Sequence, residues 1–197
     1  MATIGLSKPY CAVYNAEGTA VTYSNGRVMG KAIDMDISIS VSEDNNLYGD
    51  NGIAESDRVF SSGALTLSTD ELTQEVSALI LGAPQTPLET IEGITDADVK
   101  EMVFGDDQVT PYLGIGFVVK KKHEGLYKWR AVVLTRIMFN IPADAAVTQG
   151  ETIEWQVPTL TGTILRDDTE KHNWKREATF TTEAQAEIYI KKRLSIA

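Results

Sequence analysis

Residues 31–67 read KAIDMDISISVSEDNNLYGDNGIAESDRVFSSGALTL, and this stretch decides the fold. It opens with strict alternation: Ile33, Met35, Ile37, Ile39 and Val41 on one side, Asp34, Asp36, Ser38 and Ser40 on the other. Side chains of a strand point alternately to opposite faces, so the pattern predicts a strand with one buried face and one wet, acidic face. A polar connection of about 16 residues follows (42–57), carrying Glu43, Asp44, Asp50, Glu55 and Asp57 before a second strand begins near Arg58. Connections in compact domains usually run to about 4–6 residues. An arm this long is kept mainly when something outside the domain needs it.

Working outward, short strands dominate. Pro9 to Asn15 reads as the first strand and Ala20 to Tyr23 as the second, with Ser24-Asn25-Gly26 as a turn signal because Asn and Gly tolerate positive φ. The clearest helix covers about 69–81. Ser68 and Glu71 have capping-box spacing, Leu67 and Leu72 are placed as a staple, and Leu72, Val76, Leu79 and Ile80 share a face. Gly82 and Pro84 terminate it. Residues 84–110 are looser, with a short helix over Asp96 to Met102 as one reading. Strands are predicted over Tyr112 to Lys120 and Tyr127 to Asn140, joined through Lys121–Gly125, and over Glu151 to Leu165. Thr182 and Gln185 begin a C-terminal helix over about 183–194, with Lys191, Lys192 and Arg193 at its carbonyl end. No repeat or interdomain linker is visible, so residues 1–197 read as one β-rich domain.

Eighteen basic and 28 acidic residues leave a net charge of −10, which argues against a protein that grips nucleic acid or an anionic membrane. No apolar run approaches the length of about 18 residues that a bilayer-spanning helix needs. The N-terminus shows no secretory signal. Cys11 is the only cysteine, which excludes an internal disulfide and reads as a small buried strand residue.

The chemistry-bearing residues do not converge. His123 and His172 lack a second His or Cys at ligand spacing, so no metal site is expected. No nucleophile elbow, phosphate loop or dinucleotide fingerprint occurs. Asp106-Asp107 and Asp167-Asp168 sit in turn-like contexts. Asp44, Asn46, Gly49 and Glu55 fall on positions 1, 3, 6 and 12 of a calcium-loop pattern, but Tyr48 at position 5 supplies no carboxylate or amide oxygen and strands flank the loop. Lys120, Lys121, Lys122, Lys128 and Arg130 form a basic cluster that either touches phosphate or an acidic neighbour, or discourages edge pairing. The expectation is a non-enzymatic protein without a cofactor.

Taken in order, the motifs resemble the major tail protein, or tail-tube subunit, of long-tailed non-contractile bacteriophages. The resemblance is carried by YCAVYN (10–15), IDMDISISV (33–41), the acidic loop Leu47–Glu55, FSSGALTL (60–67) and the helix end Ala78–Ala83. It continues through PYLGIGFVV (111–119), YKWRAVVLTRIMF (127–139), EWQVPTLTGTI (154–164) and HNWK (172–175). Residues 84–110 fit least well. No single piece is specific; the collinear set is.

The resemblance implies a mainly β fold: a β-sandwich or small barrel of tail-tube type with one flanking helix, a long inter-strand arm and a short C-terminal helix. It implies a structural subunit that assembles in the host bacterial cytoplasm into hexameric rings, which stack in the virion tail as a channel for genome delivery. Its partners would be itself, the tape-measure, tail-terminator and distal tail proteins, and DNA only in transit; no membrane insertion is implied. The arm (Asp44, Asn45, Asn46, Leu47, Tyr48, Gly49, Asp50, Asn51, Gly52) would reach into adjacent subunits. Asp34, Asp36, Ser38 and Ser40 are candidates for an acidic channel wall that repels phosphate, or else face solvent or an interface. The competing readings are a carbohydrate-binding β-sandwich, with Trp174 as the exposed tryptophan, and the tube of a contractile tail or secretion system.

Overall fold

The structure is a computed structural model that describes residues 2–43, 45–89, 91–94, 98–143, 146, 148 and 155–197. The strands are β1 (Ala2–Glu17), β2 (Ala20–Val28), β3 (Ala32–Val41), β4 (Asn45–Gly49), β5 (Gly52–Asp57), β6 (Phe60–Thr69), β7 (Gln85–Pro87) and β8 (Lys100–Met102). They continue with β9 (Leu113–His123), β10 (Leu126–Phe139), β11 (Thr159–Leu165) and β12 (Lys175–Phe180). Two short helices accompany them, α1 (Gln74–Leu81) and α2 (Glu183–Arg193).

The protein is mainly β. One large antiparallel sheet runs β2-β1-β9-β10-β11-β6-β3. The long strand β10 splits the outer part of this sheet: Trp129–Leu134 pair with β12, and Arg136–Phe139 pair with β11. The sheet folds over itself, so that Met35 and Ile37 of β3 pack into the same core as Cys11, Leu113, Ile115, Phe117, Val132 and Leu134. At the fold-over, Thr3–Leu6 of β1 and Ile33–Met35 of β3 line one crevice without joining in a ladder.

Strand β9 explains why two cores exist. Leu113, Ile115, Phe117 and Val119 fill the space inside the folded sheet, while Val118 faces the other way, where Ala186, Ile190 and Leu194 of the C-terminal segment cover it. An uninterrupted buried strand results, as expected when both faces are packed. Gly114 and Gly116 occupy the α2 side because the helix lies on the backbone: a Cβ at Gly116 would sit 2.3 Å from Cγ2 of Ile190. Thr182 caps α2 by accepting from the Gln185 N–H at 3.4 Å. The C-terminal segment therefore packs into a local core.

Several boundaries differ from the sequence reading. Ser24-Asn25-Gly26 is no turn but lies inside β2, where the pairing shifts between Cys11↔Arg27 and Val13↔Ser24. Asn25 takes φ 53° there, so its tolerance of positive φ makes a bulge. The capping box at Ser68 does not form, because β6 continues to Thr69, paired with both β11 and β3. Ladder bonds outcompete the cap: α1 starts at Gln74, with Thr73 accepting from the Val76 N–H. Asp70 instead accepts from the Lys31 N–H at 2.7 Å. Val76 and Ile80 are buried as the helical spacing predicts, and Gly82 closes the helix at φ 68°. Lys100–Met102 is a strand paired with Gln85–Pro87 and not a helix; residues 95–97 lie outside the described residues. Of the strand predicted over 151–165, the structure shows Thr159–Leu165; residues 151–154 lie outside the described residues and 155–158 belong to no strand.

Cys11 is fully buried inside the folded sheet, and burial pushes its pKa up to about 12. A thiol that is both inaccessible and protonated is a poor nucleophile. Alkylation in native buffer at pH 8 is expected to run at least ~100-fold slower than in denaturant; comparable rates by mass spectrometry would contradict this packing.

Candidate assembly surface

The arm is a β-hairpin. β4 and β5 pair antiparallel from Asn45↔Asp57 to Gly49↔Gly52, and the turn residues Asp50 and Asn51 take φ 47° and 64°. Two consecutive left-handed residues give the turn whose twist matches paired strands, and Asp and Asn tolerate it. This ribbon is a separate two-stranded sheet, unconnected by ladder bonds to the main one. Its apolar residues are poorly covered: Leu47, Tyr48 and Ile53 are 62%, 68% and 59% exposed. Tyr48 lies directly opposite Ile53. An isolated two-stranded hairpin is marginal in water and needs a further packing partner. Asn46 and Glu55 belong to this ribbon, so the calcium-loop spacing is strand pairing; Asp44 lies outside the described residues.

The root of the arm is held firmly. Ser42 and Val59 close it, with the Ser42 N–H donating to the Val59 carbonyl at 2.8 Å. Phe60 stacks on Trp174 at 4.7 Å between centroids, nearly parallel, and Arg166 donates to the Phe60 carbonyl. Trp174 is placed by its own carbonyl, which accepts from the Thr135 N–H. The loop before it is locked at Asp168, which receives the Tyr14 hydroxyl at 2.9 Å and Arg136 Nη1 at 3.1 Å on both oxygens. Arg136 also lies 4.0 Å from the Tyr112 ring centroid. The sequence marks HNWK as a motif and Trp174 as a candidate exposed tryptophan; the stack of Trp174 on Phe60 gives it a structural job instead. Trp174 is thus half-buried, and Trp155 is the exposed tryptophan, at 83%.

Strand β3 departs from the clean alternation predicted for it. Met35 and Ile37 pack on the core, but Ile33, Ile39 and Val41 are 54%, 36% and 53% exposed. The cause is position. β3 ends the sheet, so only its middle lies over the core, and among the described residues its outer edge has no ladder partner, although β1 lies beside Ile33–Met35. An edge of this kind is a template for another chain.

Asp34, Asp36, Ser38 and Ser40 are all exposed and share the outward face of β3. Across the ladder they meet Ser68, Thr66, Ala64 and Ser62 of β6, and beyond these Thr159, Thr161 and Thr163 of β11. Ser68 and Thr159 hydroxyls are 3.0 Å apart. The result is a hydroxyl-rich face with two carboxylates, on three strands that contain no Lys or Arg.

The basic cluster sits on a tight hairpin. Lys121–His123 belong to β9, and Glu124-Gly125 alone make the turn, at φ 49° and 81°. Lys120 and Lys122 lie 4.5 and 5.5 Å from the Tyr127 ring centroid. Among the described residues no group of three His, Cys, Asp or Glu side chains is arranged to hold a metal ion, and no helix is long and apolar enough to cross a membrane. No protein-family model and no curated protein matches the chain.

Proposed function

We propose that this chain is a structural, non-enzymatic subunit that polymerises into a tube, in the manner of the tail-tube proteins of long-tailed non-contractile bacteriophages. The observation that carries the reading is the arm: a folded ribbon on a rigid root, whose apolar side chains Leu47, Tyr48 and Ile53 are each more than half exposed. Such a device gains its stabilisation from another molecule. The unpartnered edge of β3, with Ile33, Ile39 and Val41 exposed beside it, supports lateral joining of sheets between copies.

The face of Asp34, Asp36, Ser38 and Ser40 serves in this reading as channel wall. A face that carries two carboxylates and, on its three strands, no Lys or Arg supplies no counter-charge to phosphate, so DNA passes without being held tightly. The collinear motif order supplies the hexameric ring, the phage tail and the tape-measure, terminator and distal tail partners as parts of the same proposal.

The test is direct. The purified chain, concentrated and viewed by negative-stain electron microscopy, is expected to form rings or hollow filaments. A folded protein that sediments as a monomer at every concentration up to the millimolar range would count against the proposal.

A further inference from the structure

The chain carries two exposed hairpins of opposite charge. The arm, residues 42–57, holds five carboxylates (Glu43, Asp44, Asp50, Glu55, Asp57) and no Lys or Arg. The β9–β10 hairpin, residues 120–130, holds five cations (Lys120, Lys121, Lys122, Lys128, Arg130) against the single carboxylate of Glu124. Concentrating cations on one hairpin is unusual in a chain whose net charge is −10.

The register makes the basic hairpin costly for its own chain. Lys121 lies directly opposite Lys128 in the ladder, on the same face of the sheet. Like charges in that arrangement repel. Among the described residues neither lysine has a carboxylate at ion-pair distance, and Lys121 acts on the Glu177 carboxylate only from farther off. The carboxylate of Glu177, on the neighbouring strand, is taken up by Lys175 at 2.8 Å and Arg130 at 3.8 Å. Beyond Trp129, β10 has lost its β12 partner, so among the described residues the outer edge of Leu126–Lys128 has no ladder partner. Leu126 and Tyr127 beside it are 68% and 45% exposed. A cation pair, an open strand edge and uncovered apolar side chains occur together.

The arm offers the complement of each. Glu55 and Asp57, two residues apart on β5, share one face of the ribbon. Leu47, Tyr48 and Ile53 supply apolar surface. Ribbon edges supply backbone donors and acceptors.

We infer that the acidic arm of one copy docks on the Lys121–Lys128 face of the β9–β10 hairpin of the next copy. The inference rests on the self-assembly reading above and names the surface that receives the arm. It is a head-to-tail contact: the two patches differ, so each copy both gives and receives, and the contact propagates. Added salt weakens it, because exposed charges are screened.

The experiment is a charge exchange in the full chain, read by sedimentation and electron microscopy. Lys121→Glu with Lys128→Glu, and separately Glu55→Lys with Asp57→Lys, are each expected to raise the concentration needed for assembly at least ~10-fold while leaving the circular dichroism spectrum unchanged. Mixing the two variants restores assembly, since each then presents the charge the other lacks; so does placing all four substitutions in one chain. Assembly by either reversed variant alone at the wild-type concentration overturns the inference while leaving the tube reading intact. Loss in both without restoration on mixing overturns the pairing. Failure of the wild-type chain itself to assemble overturns the tube reading instead. Retention of duplex DNA by the wild-type subunit at physiological salt, abolished by Lys121→Glu with Lys128→Glu while assembly is untouched, assigns the patch to nucleic acid and overturns the inference as well.

Discussion

Replacing Asn45–Asn51 with a Gly-Ser link is expected to leave a folded subunit that no longer polymerises. The fold survives because the ribbon shares no ladder with the main sheet and places none of its residues in either core. Its root stays closed by the Ser42–Val59 bond and the Phe60–Trp174 stack, both outside the replaced segment. Closing a shorter loop changes the entropy cost by under about 1 kcal/mol, so the melting temperature should move by no more than roughly 2–4 °C. Assembly fails because Leu47 and Tyr48, with the turn that orients Ile53, leave together. Hydrogen exchange gives an independent reading of the same ribbon: in the free subunit its amides should exchange quickly, and after assembly slowly. Normal tubes from the shortened chain would refute the role given to the arm. Strong protection of 45–57 in the monomer would show that the ribbon is stable without a partner.

The parts of the fold legible in the sequence are those whose signals were local and repeated. The alternation of residues 33–41, the apolar runs at 113–119 and 131–134, the helical spacing of Val76 and Ile80, and Gly82 as terminator all mark real elements. What misled were signals that another level of structure could reuse. Asn25-Gly26 permits positive φ, but a bulge uses that freedom as readily as a turn does. Ser68 caps well in isolation, yet two neighbouring strands were waiting to pair with it. β3 is patterned for burial along its whole length, whereas its place at the sheet edge leaves Ile33, Ile39 and Val41 uncovered. That mismatch between pattern and burial is what the proposed joining of sheets between copies would account for. The arm was legible as an anomaly of length, and Asp50-Asn51 was a hairpin signal that went unread within it. The Phe60–Trp174 stack and the Lys121–Lys128 opposition were not legible, since both depend on pairings between segments distant in sequence or on the exact residue opposite in a ladder.

The second large effect concerns the seat of α2. Gly116→Val is expected to destabilise the subunit by about 3 kcal/mol, lowering the melting temperature by roughly 6–12 °C. The new Cβ would fall 2.3 Å from Cγ2 of Ile190, and that methyl cannot swing away as the end of a flexible side chain could. It is bonded to the branched Cβ of a helical residue, whose χ1 is nearly fixed. The helix must therefore lift, and Ala186 and Leu194, both fully buried, lift with it. Ile190→Ala alone opens a cavity at the same place and costs about 2–5 kcal/mol. The two faults are complementary, so the double variant should be more stable than the sum of the single losses by about 1–3 kcal/mol. Urea unfolding of the four proteins measures this coupling. Strict additivity would mean that α2 does not rest on Gly116, and the second core would then have to be redrawn. The measurement also bears on assembly: because α2 packs on the face of β9 opposite the main core, its release loosens the strand that ends in the Lys121–His123 hairpin. Gly116→Val should accordingly raise the assembly concentration without touching any residue of either charged hairpin, and Ile190→Ala in the same chain should bring it back toward the wild-type value.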